Sequence, residues 1–370
     1  MSRTVSLLFA FALAAVGCGP EASGQEAPGD AADALTSPSR SLHVSARPLY
    51  QRYQDGSTEL SEWSLPLQVR VPFGERWQAR LRGSVASVQR PNGATVTGLG
   101  DVQAALSYAR KIGESSVIVS ASANLPMGTD AFSRPEFATV TLLSQNIYDF
   151  QMSGFGQGPG GLGGITWVYP IGEDLVLGLG GSYQIQGGYT PVAGMADSYE
   201  PGNQGLATGG LEVRLSRTSS LSVNASVTLY GTDMVGETAR FEAGPKSAVE
   251  VQYYREWGYN TLRLTAGYEG RGQSTRPAAT GEGLGQQVLP DRTRLRGHYG
   301  TRLTDVVDVA VWGEGRTFGE TVAHDRETIA VVGARASIEI GEGFTLAPEV
   351  SYTAGTFTGL AGGATVEWSR

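Results

Sequence analysis

The densest group of side chains able to act on a solute is basic, lies at alternate positions, and is followed along the chain by acidic residues. Its members are Arg294, Arg296, His298, Arg302, Asp308 and Glu314. In a β-strand, alternate residues project from the same face, so this spacing predicts a charged face on two neighbouring strands. Opposed rows of bases and acids set up a transverse electric field, which selects among polar solutes as they pass.

The same alternation extends to other predicted strands. The charges predicted to line a common interior are Arg70, Arg80, Arg82, Arg214, Arg263, Arg294, Arg296, His298, Arg302, Glu250, Glu269, Asp308 and Glu314. Two interpretations stay open at this point. The charges act on solutes in a water-filled lumen, or they neutralise one another inside a plugged interior, where each pair contributes little.

Catalytic and metal-binding patterns are weak in this chain. Its three histidines are His43, His298 and His324, and none of them pairs with a nucleophilic serine in the predicted strands. A single cysteine and scattered histidines form no metal-ligand pattern. The stretch GLGDVQ lacks the glycine spacing and the following helix of a nucleotide-binding loop. We therefore expect no enzyme activity, no cofactor and no metal. A net charge of −8 argues against nucleic acid as a partner.

The elements that must position the charges are strands. Between Ser61 and Val85 the odd positions are almost all apolar, whereas the even positions include Arg70, Arg80 and Arg82. An arginine on the lipid side at mid-depth would cost about 2–4 kcal/mol, so the polar face must meet water. The pattern recurs in about 16 strands, with 14 as the lower count, most reaching the roughly 9–11 residues needed to cross a bilayer. The sequence predicts an all-β fold, a transmembrane up-and-down antiparallel β-barrel, and no helical segment of useful length.

The connections between the predicted strands alternate in length. Seven short turns, FGE, IGESS, PIGED, SRTSS, EWGYN, TDV and GEG, alternate with longer segments. Short turns on one rim and long loops on the other are typical of outer-membrane barrels. We expect the long loops to face outside and the first strand to begin on the periplasmic rim. The segment Met127–Pro159 is long enough to fold inward and narrow the lumen.

The N-terminus has the pattern of an export signal. Residues 1–17 combine Arg3, an apolar core and small residues, which predicts a signal peptide. Cys18 follows Ala-Val-Gly, which resembles a bacterial lipobox and predicts acylation at this cysteine, with simple cleavage as the alternative. Residues 18–40 are rich in Pro, Gly, Ser, Ala and acids, and predict a disordered periplasmic linker. Residues 41–370 form the predicted barrel.

Three glycine-containing motifs carry a family resemblance. They are GLGDVQAALSYARKI from Gly98, ANLPMGT from Ala123, and GFGQGPGGLGGITWVYPI from Gly154. Together they resemble the outer-membrane transporter family described as meta-pathway phenol-degradation proteins, over roughly residues 95–190. The resemblance implies an outer-membrane barrel that admits small compounds, hydrophobic or aromatic ones among them. The chain departs from the family at the lipobox-like Cys18 and at the C-terminus TVEWSR, where Trp368 lies two residues before the usual terminal aromatic position.

These observations predict a passive channel or transporter for small solutes in the outer membrane of a Gram-negative bacterium. The expected partners are outer-membrane lipid, a small-molecule solute and the barrel assembly machinery. The oligomeric state stays open. An alternative is a structural or adhesive barrel with a plugged lumen, and a weaker one is a secreted soluble β-protein.

Overall fold

The structure is a computed structural model, and its described residues are 41–56, 58–91, 93–143, 150–152, 154–276, 284–286, 288–321 and 325–370. The predicted signal peptide, the predicted linker and Cys18 all lie outside these residues. His324, one of the three histidines, lies outside them as well.

The described residues are mostly strand. The strands are β1 (His43–Ala46), β2 (Leu49–Asp55), β3 (Thr58–Phe73), β4 (Trp77–Gln89), β5 (Val96–Leu99), β6 (Val102–Ile112), β7 (Ser115–Leu125), β8 (Gly160–Ile171), β9 (Leu175–Gln186), β10 (Tyr199–Glu200), β11 (Gln204–Ser216), β12 (Ser219–Tyr230), β13 (Thr232–Val235), β14 (Thr238–Glu242), β15 (Lys246–Trp257), β16 (Asn260–Arg271), β17 (Ser274–Arg276), β18 (Leu284–Gln286), β19 (Arg292–Thr304), β20 (Val307–Phe318), β21 (Glu327–Gly341), β22 (Phe344–Gly355) and β23 (Thr358–Ser369). A helix, α1, spans Arg134–Leu143.

The principal sheet closes on itself as an antiparallel barrel. β1 and β2 both pair with β3 on one side and β23 on the other, so together they fill one strand position. β5 and β6 both pair with β4 and likewise share a position. When each of these two interrupted pairs is counted as one strand, the barrel has 16 strands. Closure leaves no sheet edge unpaired in hydrocarbon. The predicted fold class is confirmed.

All seven predicted short turns lie on one rim of the barrel. Several of them place a glycine at positive φ, for example Gly74 at 67° and Gly343 at 77°. This backbone region strains residues that have a Cβ. The first and last strands of the barrel meet at this rim, where the backbone N–H of Arg370 donates to the Leu42 carbonyl. On the opposite rim, β10, β13, β14, β17 and β18 form a separate small sheet.

The strands have one apolar and one polar face, as the alternation predicts. In β3, Leu67 is 47% exposed on the outer surface, whereas Ser64 on the inner side is 1% exposed. Large apolar side chains exposed all round a closed barrel are stable only against lipid tails. Aromatic rings pack together near the short-turn rim, where Trp77 lies 4.7 Å from Tyr108 and 6.1 Å from Phe73 between ring centroids. Such rings suit the membrane interface.

Helix α1 corrects the expectation that no useful helix forms. Ser133 caps its start: the backbone N–H of Phe137 donates to the Ser133 carbonyl, and the N–H of Ser133 donates to Glu136 Oε2 at 2.8 Å. This is half of the S-x-x-E capping box, and the hydrogen bonds from Ser133 lower the pKa of Glu136. The signal SRPE was therefore present in the sequence but is only four residues long. Among the described residues, no helix is long and apolar enough to span a membrane.

Candidate functional site: the barrel interior

The connection from β7 to β8 folds into the barrel. We name the described residues of this connection, 126–143, 150–152 and 154–159, the inner segment. Its backbone N–H groups donate to inward side chains of the wall: Gln151 to Gln51 Oε1 at 2.6 Å, and Met152 to Glu62 Oε1 at 3.1 Å. These contacts agree with the expectation of inward folding.

An apolar cluster holds the inner segment against the wall near the long-loop rim. Phe150 is fully buried and packs edge-on against Tyr53 at 4.9 Å. The buried members of the cluster are Tyr53, Leu60, Ala86, Val88, Val96, Phe132, Leu143, Phe150, Met152, Phe155, Phe318, Ile329 and Phe357. Removing this much apolar surface from water is favourable by roughly 25 cal/mol per Å². We name β2 to β5, which bear five of these residues, the covered wall. Phe318, Ile329 and Phe357 extend the cluster onto the long-loop ends of β20 and β21 and the connection between β22 and β23.

Asp101, at the break between β5 and β6, anchors both ends of the inner segment. Its carboxylate accepts three hydrogen bonds: from Asn124 Nδ2 at 2.7 Å, from the Gly128 N–H at 2.9 Å and from the Gln157 N–H at 2.7 Å. The three motifs that carry the family resemblance meet at this carboxylate. The local sequence did not indicate that Asp101 reaches residue 157.

Glycines at this anchor allow backbones to approach closely. A Cβ added to Gly128 would lie 2.8 Å from both Asp101 Oδ1 and the Gly156 Cα. A Cβ on Gly98 would lie 2.4 Å from Thr129 Oγ1. Both distances are shorter than van der Waals contact, so a larger residue would displace the inner segment. The GFGQGPGGLGG run is packed against this chain's own backbone: a Cβ on Gly156 would lie 2.9 Å from the Thr129 carbonyl oxygen.

A second attachment joins the inner segment to the loop after β9. The Phe132 N–H donates to the Pro191 carbonyl at 3.2 Å, and the Phe132 carbonyl accepts from the Ala193 N–H at 2.7 Å. In the same loop, Tyr189 packs edge-on against Tyr199, whose hydroxyl donates to Asp233 Oδ2 at 2.5 Å.

Burial and neighbouring carboxylates keep both phenols of this attachment protonated. Burial, followed by the charges of Asp233, Asp101 and Asp130, raises the pKa of Tyr189 to about 12. Burial and the hydrogen bond to Asp233 also raise the pKa of Tyr199.

Halfway round the closed barrel from β3 and β4, inward charges follow β15, β16, β19, β20 and β21, which we name the charged wall. Arg294 Nη2 lies 2.5 Å from Glu250 Oε2, although their strands are separated by β16. Register explains the contact, because Gly267 stands between the two residues and has no side chain to separate them.

Other ion pairs follow the same wall. Glu269 accepts from Arg271 at 2.6 Å and from Arg292 at 3.3 Å. Glu314 contacts Arg316 directly and lies 3.8 Å from Arg296. At the short-turn rim, Arg302 Nε lies 3.1 Å from Asp308 Oδ1.

The middle of the charged wall is positively charged and flanked by aromatic rings. Arg263 and Trp312 lie directly opposite His298 in the strand register. The Arg263 guanidinium lies over the Tyr254 ring, 6.0 Å from its centroid, and the Arg296 guanidinium lies 5.9 Å from the Trp312 centroid.

The structure brings together most of the predicted lumen charges but not all. Those on the charged wall are Arg263, Arg294, Arg296, His298, Arg302, Glu250, Glu269, Asp308 and Glu314. Arg70, Arg80 and Arg82 lie across the barrel on β3 and β4, where Arg82 donates to Gln68 at 2.5 Å. Arg214 lies on β11, apart from both groups.

Sequence reasoning did not single out three interior features. Glu62 is fully buried, and its Oε2 has no hydrogen-bond partner among the described residues. Arg47 makes a contact ion pair with Glu349 and donates to Gln151 of the inner segment at 3.1 Å. Trp312 faces inward. The alternation of inward and outward residues along a strand could have identified Glu62 and Trp312 as inward. Arg47 lies at the break between β1 and β2, where this alternation is interrupted and does not predict which way a side chain points. In the described part of the chain, no three His, Cys, Asp or Glu residues form a metal-ligand group.

No protein-family model and no curated protein matches the chain. Among solved structures, a bacterial polysaccharide outer-membrane secretin superposes with a TM-score of 0.50 at 8% identity, covering 89% of this chain and 98% of that one. An outer-membrane channel from Pseudomonas putida F1 gives 0.42 at 13% identity, covering 62% and 88%. An anion-selective porin from Comamonas acidovorans gives 0.42 at 11% identity, covering 89% and 98%. At these identities the likeness concerns the fold. The chain is an outer-membrane β-barrel.

Proposed function

We propose that the chain is an outer-membrane channel through which small solutes pass passively, without enzyme chemistry or a cofactor. The observation that carries the proposal is the solvent exposure of the charged wall. The side chains of Arg294, Arg296 and Arg335, all directed inward, are 21%, 32% and 37% exposed. The inward residues of the covered wall near the long-loop rim are buried beneath the inner segment.

The difference in exposure supports a lumen that is narrowed from one side and open along the other. A barrel of this strand number is wide enough to hold an aqueous channel even after one wall is covered. Partly exposed guanidinium groups require water, since a dry interior would leave them with a desolvation cost of several kcal/mol each. Water along the charged wall is the path that a polar solute would take.

Conductance measurements test this proposal. The barrel, refolded in detergent and inserted into a planar bilayer, is expected to give a persistent ohmic current in KCl. A heat-unfolded sample at the same detergent concentration is the control. Repeated insertion without current would overturn the proposal.

A preference for hydrophobic or aromatic compounds is a narrower proposal that rests on the resemblance of the three glycine motifs to the transporter family. Liposome swelling tests it with solutes that do not cross lipid unaided. A preference for aromatics predicts that phenyl glucoside enters no more slowly than glucose, although phenyl glucoside is larger. Entry in simple order of size would contradict the preference.

A structural or adhesive barrel with a closed lumen is the second candidate. The apolar cluster favours it, because Phe150, Met152 and Phe155 are buried against the covered wall and fill part of the interior. This candidate predicts no current in the bilayer experiment and no uptake of the smallest sugars. The same two measurements therefore separate the two functions.

The proposed partners follow from the outer surface and the C-terminus. Outer-membrane lipid would contact the exposed apolar face. Trp368, which pairs with Phe344 in β22, lies at an outward strand position, as expected for an aromatic residue that the barrel assembly machinery recognises. Truncation of residues 368–370 should reduce assembled barrel in cells if the machinery reads this end.

A further inference from the structure

The middle of the charged wall is a candidate binding site for a small organic anion. Four residues form the group that we name the arginine patch: Arg263, Arg296, His298 and Arg335. In the strand register Arg263 lies opposite His298, and Arg335 lies opposite Ala310, whose partner on β19 is Gly300, two positions from His298. The patch spans β16, β19 and β21 and lies near the middle of β19 and β21.

Two arginines of the patch, Arg263 and Arg335, have no close acidic partner among the described residues. Arg263 makes no ion pair among the described residues, and its Nε is buried without a hydrogen-bond partner. Arg296 Nε lies 3.8 Å from Glu314 Oε2, and Glu314 also contacts Arg316 through its other oxygen. Arg335 has Glu367 at 3.8 Å, near the limit of an ion pair. A buried donor without a partner carries a free-energy cost that a bound acceptor removes.

Aromatic rings border the patch on two sides. Tyr254 lies beneath Arg263, and Trp312 lies beneath Arg296. The Trp312 indole lies against Gly333 of the neighbouring strand, at a position where a Cβ on Gly333 would come 2.2 Å from the indole. The glycine therefore makes room for a ring that lines the lumen wall without blocking it.

We propose that the arginine patch binds a small carboxylate with a planar, apolar body. A guanidinium presents two parallel N–H donors that match the two oxygens of a carboxylate. Tyr254 and Trp312 offer apolar faces to the remainder of the molecule. Inorganic anions satisfy the first requirement but not the second. This inference rests on the proposed function, because the carboxylate is the class of solute that the proposed channel would carry.

Tryptophan fluorescence tests binding in detergent, independently of transport. Of the six tryptophans, Trp312 faces the lumen, and the other five lie on outward strand positions. Benzoate is the probe, and benzamide is its neutral control of the same shape. We expect a saturable fluorescence change with benzoate, at least tenfold weaker binding of benzamide, and loss of the signal in Trp312→Phe. Equal binding of benzoate and benzamide, or a signal that survives Trp312→Phe, would overturn the inference.

Charge variants sharpen the assignment. Arg263→Gln and Arg335→Gln should each weaken benzoate binding about fivefold or more. The affinity of Arg263→Lys should fall between those of Arg263→Gln and the wild type, because lysine keeps the charge but lacks the two parallel N–H donors of a guanidinium. Arg110→Gln, which removes the same charge at the short-turn rim of β6, should leave benzoate binding unchanged. Since Arg263→Gln changes an inward side chain, a heat-modifiable gel band confirms that the variant folds. An equal effect of Arg110→Gln and Arg263→Gln would contradict a local site.

Bilayer currents separate failure of the site from failure of the channel. Benzoate added to both sides should reduce the chloride current in the wild type more than in Arg263→Gln. Saturable binding with no current would refute the channel and retain the site. A current that benzoate does not alter, together with no fluorescence change, would refute the site and retain the channel.

Discussion

The covered wall and the charged wall use the same strand alternation for different purposes. On the covered wall, inward residues near the long-loop rim are packed against Phe150 and Met152, and hydrogen bonds to the inner segment complete the contact. On the charged wall, inward residues such as Arg294 and Glu250 pair with one another and remain in contact with water. If the barrel is a channel as proposed, this difference assigns stability and bore to the covered wall and selectivity to the charged wall. Substitutions on the two walls should therefore change different measurements.

Loss of the Asp101 anchor should have the largest effect. Asp101→Ala removes the acceptor of three hydrogen bonds, and charged hydrogen bonds contribute about 1.5–3 kcal/mol each, so the inner segment should detach. We expect a several-fold rise in single-channel conductance and a lower urea midpoint. Asp305→Asn, in the turn between β19 and β20, is the control and should change neither. An unchanged conductance in Asp101→Ala would show that the inner segment does not limit the bore.

Truncation of the apolar cluster comes next. Phe150→Ala leaves a cavity against Tyr53 and should lower the free energy of unfolding by about 3–5 kcal/mol. Urea unfolding in detergent, followed by tryptophan fluorescence, measures this loss. Phe344→Ala, which removes a phenylalanine exposed on the outer surface at the short-turn rim, is the matched control. Equal losses in the two variants would mean that the inner segment is not packed as described.

Charge changes on the charged wall should alter selectivity with little effect on stability. Arg294→Gln should shift the reversal potential in a KCl gradient toward cation preference, and Glu250→Gln should shift it toward anion preference. The double variant should lie near the wild type. Because both side chains are partly exposed, each single change should alter stability by no more than about 1 kcal/mol. A loss as large as that of Phe150→Ala would remove the distinction between the two walls.

The smallest effect should come from the phenols that support the second attachment. A pKa raised in the folded state means that the folded protein holds the proton more tightly than the unfolded one. The contribution of Tyr189 is therefore complete below about pH 10 and is lost as the pH rises toward 12. The contribution of Tyr199, whose pKa is also raised, falls in the same direction. The urea midpoint should fall over this interval, and the fall should be shallower in Tyr199→Phe. Absorbance of phenolate at alkaline pH gives the titration directly, and a midpoint in Tyr199→Phe that falls as steeply as in the wild type would contradict this account.

The sequence by itself determined the class of fold and the two faces of each strand. Alternation is a local property of the extended backbone, so Leu67 outward and Arg294 inward could be predicted without any knowledge of neighbours. The seven short turns and the closed barrel followed from the same local pattern. Helix α1 was missed because its capping box covers four residues within a segment that has no strong period.

Only the tertiary structure decided which inward residues meet. Glu250 reaches Arg294 because closure and register place Gly267 between them, and Asp101 reaches Gln157 because the inner segment turns back across the wall. These contacts join residues 44 and 56 positions apart in the chain, and no local spacing encodes them. The division of the interior into a covered wall and a charged wall depends on the path of the inner segment, which is set by the packing of Phe150 and Phe155 against several strands at once.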